Sequence, residues 1–296
     1  MELKRDWNYA ERELDPKGNP VDIIILVMSK LGFTKLCIES IQRNTKNYHL
    51  IIVDNNSDQE TKDYLKTISG ATIITNSANL GIPKGRNQGL RVSTSEYVVF
   101  IANDVMVSPK WLSRCVSILD QRPDVGVVGG MEVPSFAADQ VPLTKDDVDL
   151  VRAWKNWWAL REKWYGDQRY EFIKQCVLDV YGDFDKIADK VFNAFKDVYH
   201  NFAACSLMFF RRDIFKRVGL LDERYTPLAV EDADLNNRIK LDGTYRSVTT
   251  GIFYHHFMSI TLRDNDVQRW QNENYIKMSQ KYSNDNWKKE VEYLDK

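Results

Sequence analysis

Six consecutive apolar residues, Ile23–Met28 (IIILVM), constrain this chain more than any other feature. A run of that length without polar interruption reads as a strand buried on both faces. The period then changes. Phe33, Leu36, Cys37, Ser40 and Ile41 recur at three and four and predict a helix over 33–43. The alternation repeats: strand Leu50–Val53, helix Thr61–Ile68, strand Ala71–Thr75, helix Pro83–Val92, strand Tyr97–Ala102. Ser108 and Pro109 read as the N-cap and first residue of a further helix, and Val125–Gly130 as another strand. Strands alternating with helices predict an α/β fold with a doubly wound, parallel sheet and right-handed crossovers. Such sheets bind ligands at the carboxyl ends of their strands. Asp54 and Asp104 both stand at such ends.

Composition narrows the function. The 41 Lys and Arg balance 42 Asp and Glu over 296 residues, a net charge of −1. That disfavours nucleic acid as the main partner, because wrapping a polyanion requires a basic surface. The longest apolar runs fall far short of the roughly 20 residues that span a bilayer, and the charged start MELKRDWNYAERELD has no signal-peptide core. The four cysteines, Cys37, Cys115, Cys176 and Cys205, have neither CxxC nor metal spacing. A cytoplasmic protein with free thiols is the expectation. Oligomeric state has no signature in the sequence.

The pattern changes over 134–200. Val151, Trp154, Trp158 and Tyr165 fall at helical spacing, as do Tyr170, Ile173, Val177 and Val180, and then Phe184, Ile187, Val191 and Val198. Two or three amphipathic helices interrupt the α/β frame here. Their tryptophans either pack in a core or face a cleft and stack on a ligand ring. Arg152, Lys155, Arg161 and Lys163 beside them also make a mixture compatible with peripheral membrane contact. Strand character returns at Ala203–Phe210, followed by helices at Arg212–Val218 and Glu231–Leu241 and a strand over Arg246–Tyr254. The polar, aromatic tail from Val267 reads as helical and packed on the outside.

Four clusters and a histidine pair could carry chemistry. Asp54 could accept hydrogen bonds from a base or ribose, or cap its own turn. Asn79-Leu80-Gly81-Ile82-Pro83-Lys84-Gly85-Arg86 combines glycines with cations where a helix begins, a plausible anion corner that is neither GxGxxG nor a Walker loop. Ala102-Asn103-Asp104 sets a carboxylate on a strand end, suited to Mn²⁺ or Mg²⁺ shared with a phosphate, or simply ends the strand. Glu231-Asp232-Ala233-Asp234 opens a helix, where acids favour the macrodipole; crowded acids also raise one another's pKa, as a general base requires. Either of His255 and His256 could complete a metal site.

In order, IIVDNNS, NLGIPKGRNQG, FIANDVMVSPKWL, RRDIFKRVGLLDERYTPLAVEDADLNNRIKLDG and YHH resemble the family-two inverting glycosyltransferases of GT-A fold. The resemblance covers about 21–130 and 203–260. It implies a nucleotide-sugar donor, a UDP- or dTDP-sugar, with Mn²⁺ or Mg²⁺ and a carbohydrate or glycoconjugate acceptor. It implies donor contacts from Asp54, Asn79, Gly85, Arg86 and Asn103. It gives Asp104 and His255, with His256 close behind, to metal or diphosphate, and Asp232 to the general base. The organisation expected is a nucleotide-sugar-binding half over 1–133, a helical, Trp-rich insertion over 134–200 that lies outside the resemblance and is a candidate for acceptor binding because it interrupts the shared frame, a catalytic and acceptor half over 201–262 and a helical tail over 263–296. Two departures stand out. Ala102 removes one acid of the DXD motif, and Ser29-Lys30 replaces the usual residues after the first strand, where Lys30 could add a phosphate contact. Ala102 favours an alternative, a non-catalytic nucleotide-sugar or carbohydrate binding protein; Asp232 and His255 oppose it. A sugar-phosphate nucleotidyltransferase would need a more glycine-rich, basic loop after strand one.

Overall fold

The computed structural model describes residues 20–132, 147–197, 199–201, 203, 206–258, 267–283, 287–289 and 291–294. The strands are β1 Val21–Val27, β2 Tyr48–Asp54, β3 Thr72–Thr75, β4 Tyr97–Ala102, β5 Val105–Val107, β6 Val125–Met131, β7 Leu207–Arg211 and β8 Arg246–His256. They form one sheet in the order β3-β2-β1-β4-β7-β6-β8-β5. The helices are α1 Leu31–Asn44, α2 Gln59–Lys66, α3 Ile82–Val92, α4 Trp111–Gln121, α5 Val148–Gly166, α6 Tyr170–Tyr181, α7 Phe184–Phe195, α8 Ile214–Val218, α9 Glu231–Asp242 and α10 Val267–Lys281.

The apolar run of β1 is central because both its faces are covered. Ile23, Ile25 and Val27 pack with Ile52, Val99, Ile101 and the α1 residues Cys37, Ile38 and Ile41. Ile24 faces the other way, onto Ile51, Phe100, Leu90 of α3 and Leu235 and Ile239 of α9. That period of two puts one layer of helices on each side of the sheet.

The sheet is mostly parallel but not wholly so. β1 pairs in parallel with β2 and β4, β2 with β3, and β6 with β8. β7 runs antiparallel between β4 and β6, and β5 antiparallel against β8. β5 corrects the sequence reading, which had no strand there. Three residues are too few to show a period, and β5 exists because β8 supplies its partners. The predicted start of α4 also moves. Lys110, left-handed at φ 60°, caps the helix and Trp111 begins it, while Ser108 lies wholly buried and makes no cap.

The helices α5, α6 and α7 bring their own core. Trp157, Trp164, Ile173, Val177, Tyr181 and Val191 pack with Phe33 of α1, Met106 of β5 and Phe253 of β8. Trp157 and Trp164 are fully buried, and Trp158 is the exposed tryptophan of α5. No helix among the described residues is long and apolar enough to cross a membrane. Cys37, Cys115 and Cys176 are buried free thiols; Cys205 and the boundary expected near 133 lie outside the described residues.

Candidate active site

A cavity of about 420 Å³ opens at the carboxyl edge of β1 and β4. Its first wall comes from Leu26 and Met28, from Asn79, Gly81, Ile82 and Arg86, and from Ala102, Asn103 and Asp104. Opposite stand Pro227, Leu228, Ala229, Glu231 and Asp232, with Ser206 and His256 also lining the space. Val267, Trp270 and Gln271 of α10 form a third wall.

Close packing of α3 sets the first wall. A Cβ on Gly85 would fall 2.3 Å from Leu26 Cδ1, and one on Gly89 2.5 Å from Ile24 Cγ2. These glycines let α3 lie directly on β1. Gly85 packs on Leu26 and is not among the residues that line the cavity. Arg86, in the next position, does line it. The guanidinium, almost fully buried, lies over the Phe100 ring at 5.1 Å, leaving a cation fixed near a helix N-terminus.

Asn55 organises the loop before α3. It donates through Nδ2 to Asn79 Oδ1 at 2.7 Å and accepts through Oδ1 from Leu80 N at 2.9 Å. Asn79 Oδ1 also accepts from Gly81 N at 2.9 Å. Asp54 is buried behind this loop, its Oδ1 accepting from Ser57 N at 2.8 Å, and it does not line the cavity. Lys30 caps α1 and faces a separate depression with Lys35 and Arg169. Asn103 donates to Thr34 Oγ1 at 3.0 Å while edging the cavity.

The two histidines divide cleanly. Successive residues of a strand point to opposite faces, and β8 pairs Val105 with His256 and Met106 with His255. Only one imidazole can therefore face Asp104. It is His256: Nε2 lies 3.3 Å from Asp104 Oδ1 and Nδ1 2.8 Å from Glu132 Oε2. Burial opposes charging this ring, but the Asp104 and Glu132 carboxylates outweigh it and raise its pKa well above the usual imidazole value. His255, the sequence-based metal candidate, turns away from the cavity. Its ring packs edge-on against Trp164, Tyr181 and Phe257, with Nδ1 2.6 Å from the Tyr181 hydroxyl. Burial depresses its pKa to about 3, so it stays neutral.

The acids of Glu231-Asp232-Ala233-Asp234 also part company. Glu231 and Asp232 line the cavity. Asp234 is fully buried and accepts from Lys281 Nζ at 2.8 Å, Arg238 Nε at 2.8 Å and the Tyr282 hydroxyl at 2.9 Å. Lys281 also donates to Asp222 at 2.9 Å. Asp104 and Asp232, more than a hundred residues apart, thus share one cavity. Glu132, Ser206, Trp270 and Gln271 had no sequence signal, because each is brought in by an element whose pairing or docking is long-range.

Among the described residues no group of three or more His, Cys, Asp or Glu side chains could by itself hold a metal ion. Asp104 and Glu132 sit on opposite nitrogens of the same ring, so they do not converge. Asp104 nonetheless fits a hard divalent cation, and His256 can join it through Nε2 once that nitrogen gives up its proton. Such ions keep several waters and need only one or two protein ligands when substrate phosphates supply the rest.

The α/β sheet thus gathers a carboxylate, an imidazole, a buried arginine and a second carboxylate around one crevice at its strand ends. The model of Glycosyl transferase family 2 matches residues 22–219, and the chain belongs to that family. The fold is similar to that of the mannosyltransferase PcManGT from Pyrobaculum calidifontis in complex with GDP-Man and Mn²⁺, with a TM-score of 0.55 at 17% identity over 86% of this chain and 60% of that one. It is also similar to GalNAc-T7 with UDP, GalNAc and Mn²⁺, with a TM-score of 0.53 at 11% identity over 84% of this chain and 47% of that one. A glucosyl-dolichyl phosphate glucuronosyltransferase of Haloferax volcanii is 30% identical over 91 residues, 30% of this chain and 29% of that protein. In each case the chain spans less than two thirds of its relative.

Proposed function

We propose that this chain transfers a sugar from a nucleotide-diphosphate donor, a UDP- or dTDP-sugar, to an acceptor hydroxyl with inversion at the anomeric carbon. The observation that carries the reading is the shared cavity, with Asp104, His256 and Arg86 facing Glu231 and Asp232. The nucleotide lies toward the ends of β1 and β2, with Asn79, Asn103 and, behind the loop, Asp54 on that side. The leaving diphosphate meets Arg86, so charge that builds on the phosphate is met by a fixed, buried cation.

A divalent ion, Mn²⁺ or Mg²⁺, would be held by Asp104 and His256 and would neutralise further charge on the diphosphate. The acceptor approaches from the α9 and α10 side, where Trp270 offers an aromatic face and Gln271 a polar edge, the pairing suited to a sugar ring. Asp232 takes the hydroxyl proton as oxygen attacks carbon, a role worth about 10²–10⁴-fold in rate. The same reading keeps the chain in the cytoplasm, where its thiols stay reduced.

UDP- and dTDP-sugars incubated with the protein and Mn²⁺ or Mg²⁺, scored by released nucleotide with and without simple glycoside acceptors, test the proposal. Turnover of at least one donor is expected, with the new linkage of opposite anomeric configuration by NMR. Donor binding without any release of nucleotide would leave a binding protein instead, and retention of configuration would remove the single-displacement mechanism.

A further inference from the structure

The segment that delivers Asp232 to the cavity is in an unfavourable backbone state. Ala229 and Val230 are both left-handed, with φ 74° and 77°, immediately before α9 begins at Glu231. Two successive non-glycine residues in that region, one of them β-branched, persist only where their surroundings over-determine them. On one side the start of α3 meets this segment, Ile82 N donating to the Pro227 carbonyl oxygen at 2.7 Å; on the other, toward α10, it is held by one side chain. Asn274, 1% exposed in the middle of α10, donates through Nδ2 to the carbonyl oxygens of Tyr225 at 3.0 Å, Leu228 at 2.8 Å and Ala229 at 3.3 Å. Its own Oδ1 accepts from Lys277 Nζ at 2.9 Å, and Lys277 also donates to the Arg224 carbonyl at 3.0 Å.

These contacts follow a helical stripe. Residues 270, 274, 277 and 281 lie at spacings of four, three and four, on one face of α10. At one end of the stripe Trp270 lines the cavity; at the other Lys281 enters the buried pair with Asp222 and Asp234. The same helix therefore walls the cavity and grips, by its polar side chains, the stretch from 222 to 234 that carries Leu228, Ala229, Glu231 and Asp232.

We infer that Asn274 is a positioning residue for Asp232: its amide holds the left-handed Ala229-Val230 turn and so fixes where the first turn of α9 presents its carboxylate. Asn274 touches neither substrate nor reacting atoms. The inference rests on the reading of Asp232 as general base, and its test separates the two. The donor side of the cavity is built from β1, α3 and β4, and its hydrogen bond to this turn, Ile82 N to the Pro227 carbonyl, does not involve Asn274, so loss of Asn274 leaves donor affinity intact while the base drifts. Misplacement by an ångström costs about 10²-fold in rate.

The experiment compares Asn274→Ala, Asp232→Asn and the double variant, using the UDP- or dTDP-sugar turned over by the wild type, at a temperature where circular dichroism shows each folded. Asn274→Ala is expected to lower kcat about 10²-fold with donor KM within about twofold, and the double variant to be no slower than Asp232→Asn alone. Unchanged kcat in Asn274→Ala, or losses that multiply in the double variant, would overturn the inference while leaving Asp232 as base. Wild-type kcat in Asp232→Asn would instead overturn the reading beneath it. Should Asn274→Ala fail to fold, Asn274→Ser, which keeps one donor, replaces it with the same expected split between kcat and KM.

Discussion

Asp232 and Asp234, two residues apart on the first turn of α9, serve opposite ends: Asp232 lines the cavity, while Asp234 is sealed from solvent with Lys281 Nζ at 2.8 Å. An α-helix turns through about 200° over two residues, so one acid faces the cavity and the other faces α10.

Their substitutions should therefore separate. Asp234→Asn leaves Lys281 and Arg238 buried beside a neutral amide, and breaking a buried pair costs about 3–5 kcal/mol. Asp232→Asn, on the cavity wall, should change stability by less than about 1 kcal/mol. Urea denaturation of both variants measures the difference, and equal losses would contradict the division of roles.

Acid should loosen the same region. Burial pushes the Asp222 carboxyl up, but Arg224 and Lys281 outweigh it and hold it down at about 2, against 3.8 for the free group. A carboxyl depressed on folding adds stability above the unfolded value and loses it as pH falls from about 4 through 2. The contribution is about 2 kcal/mol. Urea midpoints of the wild type should fall between pH 5 and pH 2 more steeply than those of Asp222→Asn; parallel slopes would remove Asp222 from this role.

The histidines should separate by readout. His256→Ala should weaken Mn²⁺-supported UDP binding at least about tenfold by titration calorimetry. His255→Phe should leave that binding intact and alter stability alone, by about 1–3 kcal/mol, through the lost bond to Tyr181. The reverse pattern would return His255 to the site.

Gly85→Ala should lower stability by about 1–3 kcal/mol, because the new methyl falls on Leu26 and α3 must lift from β1. Thermal unfolding checks this, and an unchanged midpoint would show that the helix yields freely.

The part of this molecule written in local pattern was legible in the sequence. β1, β2, β4 and β6 announced themselves as apolar runs, and the strand-end position of Asp104 followed from them. What required a partner from elsewhere did not. The choice between His255 and His256 depends on register with β5, a strand too short to see. The packing of Gly85 on Leu26 was hidden because that neighbour is set only by how α3 docks on the sheet. The tail read as an outer helix because Asn274 and Lys281 are polar; both are buried, since carbonyls and carboxylates 45 to 59 residues away satisfy them. Trp270 was hidden with them, while the more conspicuous Trp157 and Trp164 of α5 proved to be core.

In the proposed reaction Asp232 removes the acceptor proton across the cavity from Asp104. Steady-state turnover of Asp232→Asn, alongside its affinity for the donor nucleotide, tests it most directly. Nucleotide affinity should be unchanged and kcat lowered by about 10²–10⁴-fold; turnover near that of the wild type would remove Asp232 from the role of base.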